Sequence, residues 1–383
     1  MPTSLIARLT ARWSRLLDVP EEASPPGDLS DPYKRLLTSG LAHAVCGRRD
    51  EAIRDLIAAA RLRTDEVAIY LVLGHLQRLK GQTERAVALH RALLMRAELD
   101  RHGRVAALVG LALDYQSAGL LDRALASCQE ALRLDPREPT ALDVLARLHE
   151  TAGDWQAALQ AEERLLRAQP QRSRLAYGFL HYQIGCLMDD GGQVGRAARW
   201  LHRALKVHPG VVPAYVRLGD LHYRRGRLDR ALHYWEALLD AHPRYSYLVI
   251  ERLDAVYGTL HLPDKLTEVC RRIAEADLAD WRSRLYLSEG AERRDDGEEA
   301  TRWGLEALRA SPRSLAAHRA YWRSAAPSSG LPPRALRDFL KATSGPGLGD
   351  DPHLCMVCRY RASELLWRCP QCHHWASLVE DRG

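Results

Sequence analysis

The stretch Gly185-Cys-Leu-Met-Asp-Asp-Gly-Gly192-Gln-Val-Gly-Arg-Ala197 returns 34 residues later as Gly219-Asp-Leu-His-Tyr-Arg-Arg-Gly226-Arg-Leu-Asp-Arg-Ala231. A small residue, a glycine seven positions on and an alanine five beyond it make a unit that the chain reuses. Ala52, Ala86, Ala124, Ala158, Ala197, Ala231 and Ala300 mark the copies, with Lys265 in the matching place of a degenerate one. Gly47, Gly81, Gly119, Gly153, Gly192 and Gly226 each precede their alanine by five residues. Gly40, Gly74, Ala112, Ala146, Gly185 and Gly219 stand twelve before, and Pro136, Pro170, Pro209, Pro243 and Pro312 twelve after. These spacings describe a helical hairpin. The first small residue lets two helices approach, the glycine tolerates a positive-φ turn, the alanine meets the partner helix and the proline ends it.

A 34-residue helix–turn–helix period resembles the tetratricopeptide repeat. The resemblance runs from about Tyr33 to Ser314, roughly eight units, with the seventh (246–280) lacking both the glycine and the alanine. The expected fold is all-α, a superhelical solenoid whose first helices line a concave protein-binding face. In that register the candidate groove positions are His75, Arg78, Asp143, Arg147, Tyr182, Asp189, Asp220, Tyr223 and Arg224. Around the array (33–314) lie a basic amphipathic N-terminal helix (1–19), a proline-rich linker (20–32), further helices over 315–343 (Leu315–Arg323 and Pro333–Ala342), a second linker (344–352) and a terminal module (353–383).

That module carries Cys355-Met-Val-Cys358 and Cys369-Pro-Gln-Cys372. Each C-x2-C turn presents two sulfurs, and two such turns close a tetrahedron around one zinc or iron ion. Half of the eight cysteines fall in these eighteen residues, too short a segment to build a core without metal. Cys46, Cys128, Cys186 and Cys270 are scattered and read as small buried residues, not as a disulfide framework. Arg359, Arg361, Arg368 and Arg382 oppose Glu364, Glu380, Asp381 and the charge of the thiolates. The module is therefore near neutral or slightly negative, which argues against a nucleic-acid partner. Tyr360, Leu365, Leu366, Trp367 and Trp375 are too apolar for so small a unit to leave exposed. Leu366, Trp367 and Trp375 are expected to pack against the repeats.

A net charge of +6 with 27% charged residues does not by itself demand a polyanionic partner. No run of eighteen apolar residues reads as a transmembrane helix. Leu5, Leu9, Trp13 and Leu17 with Arg8, Arg12 and Arg15 suit either an anionic membrane surface or a helix capping the domain behind it. No phosphate-binding loop, dinucleotide fingerprint, zincin motif or nucleophile elbow occurs, so an enzyme is not expected.

An N-terminal membrane-proximal segment, the repeats and a final Cys355-Met-Val-Cys358, Leu366-Trp-Arg-Cys369-Pro-Gln-Cys372, Trp375 pattern together resemble the lipopolysaccharide assembly protein B family. The resemblance implies an adaptor on the cytoplasmic face of the inner membrane. Such an adaptor promotes destruction of the lipid A deacetylase by the membrane AAA+ metalloprotease and contacts other lipopolysaccharide-assembly proteins. It also implies a rubredoxin-like module docked on the repeats. The family begins with a transmembrane helix, whereas Leu5–Leu17 stands at that end here. This leaves open a peripheral attachment, an upstream start or a soluble relative. Homo-oligomerisation is also open. A generic scaffold for envelope-assembly proteins and an iron-based electron-transfer protein are the alternatives. Where rubredoxin-type knuckles often place glycine after each C-x2-C, this chain has Arg359 and His373, which puts the tuning of the metal in question.

Overall fold

The computed structural model describes residues 31–276, 280–312, 314–329 and 353–380. The N-terminal helix expected over 1–19, the helix expected over Pro333–Ala342 and the linker at 344–352 lie outside the described residues, as does most of the linker at 20–32. The chain divides into two compact units, between Arg172 and Ser173.

The first unit holds four helical hairpins: α1 (Pro32–Val45) with α2 (Arg49–Leu62), α3 (Val67–Leu79) with α4 (Thr83–Leu94), α5 (Arg101–Ser117) with α6 (Leu121–Leu134), and α7 (Pro139–Thr151) with α8 (Trp155–Ala168). The second unit continues with α9 (Leu175–Asp190) and α10 (Val194–Val207), α11 (Val212–Tyr223) and α12 (Leu228–Ala241), α13 (Ile250–Thr259) and α14 (Pro263–Ala276), α15 (Trp281–Arg293) and α16 (Gly297–Ala310), and a final α17 (Leu315–Ser329). α17 runs further than the expected Leu315–Arg323.

The repeat spacing has a direct physical counterpart in each hairpin. The six turn glycines sit at φ between 69° and 77°. At the α3–α4 turn, Gly81 N–H donates to Arg78 O at 2.9 Å and Gln82 N–H to Gln77 O at 2.9 Å. This is the paired closure that satisfies the last carbonyls of a helix ending in a left-handed residue. Each marker alanine is fully buried. In four of the hairpins the side chain four residues beyond it (Leu56, His90, Leu201 or Trp235) packs against the glycine of the first helix. A Cβ on Gly219 would sit 2.1 Å from Trp235 Nε1, and one on Gly74 would sit 2.4 Å from the His90 ring. The five prolines each fall two residues past the end of a second helix, where a missing N–H costs nothing.

The seventh hairpin corrects the register read from sequence. A 3-10 turn (Pro243–Leu248) precedes α13, which has only ten residues. His261, at φ 55°, takes the place of the turn glycine. The residue five beyond it is Leu266, 2% exposed, so Leu266 and not Lys265 replaces the marker alanine. Asp295 at φ 63° does the same before Ala300. A left-handed non-glycine residue costs roughly 1–2 kcal/mol, and the surrounding hairpin sustains it at both places.

The terminal module is the β part of the chain. β1 (His353–Cys355) lies between β2 (Arg361–Ala362) and β3 (Leu378–Glu380) in an antiparallel sheet.

Candidate metal centre

Two equivalent turns build the site. In the first, Arg359 N–H donates to Cys355 O at 2.9 Å; in the second, His373 N–H donates to Cys369 O at 2.9 Å. Arg359 and His373 adopt φ 65° and 58°. Both turns thus keep the left-handed conformation that glycine would favour.

The turns bring the four Sγ atoms of Cys355, Cys358, Cys369 and Cys372 within 4.8 Å of one another. Cys355 lies 3.6 Å from Cys372 and Cys358 lies 3.5 Å from Cys369. Sulfurs at the corners of a tetrahedron with 2.3 Å metal bonds stand about 3.8 Å apart. The donor set therefore fits one tetrahedral metal ion, and soft thiolates suit zinc or iron. Cys355 and Cys369 are fully buried, and Cys358 and Cys372 are half-buried.

The electrostatics point the same way. Burial opposes ionisation of Cys355, yet its hydrogen bond with Ser377 and those from the Cys358 and Val357 N–H groups outweigh it and bring the thiol down to about 6. Cys358 and Cys372 move up, through burial first and then neighbouring sulfurs that disfavour a second negative charge. A divalent cation inverts that logic and lets all four ionise. Elsewhere, Cys128 and Cys270 are the small buried residues expected, each pushed up to about 12 by burial. Cys46 is exposed and Cys186 half-buried, because they sit at a helix end and on a helix flank, not at the inter-helix contact.

Trp375 stacks on Phe179 of α9 with ring centroids 4.8 Å apart and planes 13° apart. Trp367 lies between Phe179 at 6.3 Å and Tyr245 at 5.8 Å. Arg282 of α15 pairs with Glu380 of β3, whose side chain is 5% exposed, while its guanidinium covers the Tyr247 ring at 4.6 Å. The sequence pointed to the two tryptophans but not to Phe179, Tyr245 or Arg282, which come from three different hairpins. Leu366 does not join the seam. It packs with Tyr360 and Leu365 beside the cysteines and fills the module's own small core.

The candidate groove residues are distributed differently. Arg78 pairs with buried Asp114 at 2.6 Å and lies 2.7 Å from His75 Nδ1; Asp114 also holds His90 Nδ1 at 2.5 Å. Asp143 binds Arg172 at 2.8 Å and Arg147 at 3.2 Å. Asp189 is 6% exposed and held by Arg217 at 2.6 Å and Arg224 at 2.8 Å. Asp220 accepts from Arg252 at 2.8 Å. These charges thus tie neighbouring hairpins together, and Asp189 in particular is buried. Tyr182 is half-buried edge-on to Phe179, and Tyr223 is exposed.

Residues 353–380 match the family model described as a rubredoxin metal binding domain, and residues 109–173 and 182–248 match the tetratricopeptide repeat model. The chain is similar to lipopolysaccharide assembly protein B of Escherichia coli (strain K12), 23% identical over 360 residues that cover 93% of this chain and 92% of the relative. The protein of the same name from Haemophilus influenzae is 24% identical over 362 residues, covering 92% and 90%. The chain is thus similar over nearly its whole length to proteins named lipopolysaccharide assembly protein B. The repeats and the four-cysteine module are each matched by a family model. Among solved structures, a tetratricopeptide repeat protein from Parabacteroides merdae covers 82% of this chain and 99% of its own at 16% identity and a TM-score of 0.38. Among the described residues no helix is long and apolar enough to cross a membrane.

Proposed function

We propose that this chain is a non-catalytic adaptor in lipopolysaccharide assembly. It brings the lipid A deacetylase to the membrane AAA+ metalloprotease and so limits commitment of material to lipid A. The observation that carries this reading is the end-to-end similarity to two proteins named lipopolysaccharide assembly protein B. Within this chain the repeats and the cysteine module are each matched by a family model. A repeat array supplies contact surface to partner proteins, and a metal-set module stacked on that array supplies a rigid end. In this reading the metal balances thiolate charge and fixes the module's shape. The contacts are made by groove side chains such as exposed Tyr223.

The test is the deacetylase half-life in cells that lack the protein. The adaptor reading expects a longer half-life and more lipopolysaccharide, both restored by the intact chain and restored less by Tyr223→Ala. An unchanged half-life with unchanged lipopolysaccharide would overturn it and leave a general scaffold for envelope-assembly proteins.

A further inference from the structure

α10 differs from every other second helix described. It carries Arg196, Arg199, Arg203 and Lys206 and no carboxylate, whereas α2, α4, α6, α8, α12, α14 and α16 each contain at least one. At 3.6 residues per turn the four cations fall within about 80° of arc, and all four are exposed. His202, on the edge of this stripe, is 3.3 Å from Tyr234 Oη on α12, and Tyr234 stacks on His222 of α11 at 5.4 Å. That contact joins the stripe to exposed Arg225, Arg227 and Arg230 at the start of the α12 hairpin arm. Among the described residues none of these seven cations lies within ion-pair distance of a carboxylate, while Arg217, Arg224 and Arg252 nearby are all paired. The local field is correspondingly positive. His222 is held below the ordinary histidine range by burial first and then by Arg230, Arg227, His202 and Arg225.

We infer that this basic face of α10 and α12 docks the second unit on an anionic lipid bilayer. Four of the seven exposed cations line α10, Arg230 stands in the first turn of α12, and Arg225 and Arg227 lie in the turn before it. Such a surface gains little from a single rigid ligand. It suits a plane of mobile phosphates that can rearrange under it, where each cation adds a similar increment. Half-buried Trp200, beneath Arg203 with the guanidinium 6.0 Å from its ring, adds an amphipathic ring of the kind favoured at a headgroup layer. The cysteine module contacts Phe179 of α9 and Tyr245 through its two tryptophans. This inference does not depend on the adaptor reading and concerns a different surface from residues 5–17.

The test is co-sedimentation of the full chain with phosphatidylglycerol–phosphatidylcholine vesicles, compared with phosphatidylcholine alone. A DNA duplex and polyglutamate serve as rival polyanions in parallel. Binding is expected only to the anionic vesicles and should fall steeply as salt rises. Arg199→Glu/Arg203→Glu/Lys206→Glu should weaken it about a hundredfold, with helical content retained. Arg225→Glu/Arg227→Glu/Arg230→Glu, which leaves α10 untouched, should weaken it similarly. Vesicle binding unchanged in both triple variants would overturn the inference, as would no binding at low salt. So would tighter binding of the duplex or polyglutamate that the same variants abolish.

Discussion

The repeat hairpins and the terminal module solve the same problem by opposite means. In the hairpins, apolar side chains supply the core: Trp235, 1% exposed, lies against Gly219, and fully buried Leu201 lies against Gly185. In the module, the buried centre is Cys355, Cys369 and Leu378, two of them groups that repel once ionised. A core of sulfur needs a cation, and a core of leucine and tryptophan does not. The hairpins can therefore vary in detail, as the seventh does, whereas the module depends on all four ligands together.

Removal of the metal should have the largest effect. Chelation or Cys369→Ser should take bound metal from one ion per chain to none and unfold the module, because metal binding to such knuckles is worth about 10–16 kcal/mol. Elemental analysis with tryptophan fluorescence reads both. A module that stays folded without metal would erase the contrast. Next in size, Trp235→Ala should cost the second unit about 3–5 kcal/mol in urea denaturation while leaving metal content unchanged. A cost below about 1 kcal/mol would mean that Gly219 and its neighbours collapse around the gap.

Trp375→Ala sharpens the comparison further. It removes the stacked ring on Phe179 without touching a ligand, so metal should stay bound while the module loosens from α9, at a cost of about 2 kcal/mol. Loss of metal in that variant would show that the docking seam and the ligand set are one structure. The smallest effect is expected at His261→Gly. Relief of the left-handed backbone should stabilise the seventh hairpin by about 1 kcal/mol, readable as a small rise in Tm.

The repeating parts of the fold were legible because they are backbone-driven. A glycine at φ near 73°, an alanine between helices and a proline after a helix each have one physical reason to be there. Where His261 and Asp295 adopt the same conformation without being glycine, the signal vanished, and the register slipped by one onto Lys265. The convergence of the four cysteines was legible from spacing alone. The groove was less so, since its charges are consumed by partners 28 to 36 residues away, about one repeat along. Which carboxylate meets which arginine depends on side-chain packing that a period does not encode. The same holds for the docking seam, where Phe179, Tyr245 and Arg282 are adjacent only after three hairpins have stacked.

The central claim is that the metal module and the second unit's helices form one structure, joined through Trp367, Trp375 and the Arg282–Glu380 pair. Hydrogen exchange of the full chain before and after metal removal tests it most directly. The account predicts that protection falls in 353–380 and also in α9, at Pro243–Leu248 and at the start of α15, while α1–α8 are unaffected. Loss of protection confined to 353–380, with α9 and α15 unchanged, would contradict it.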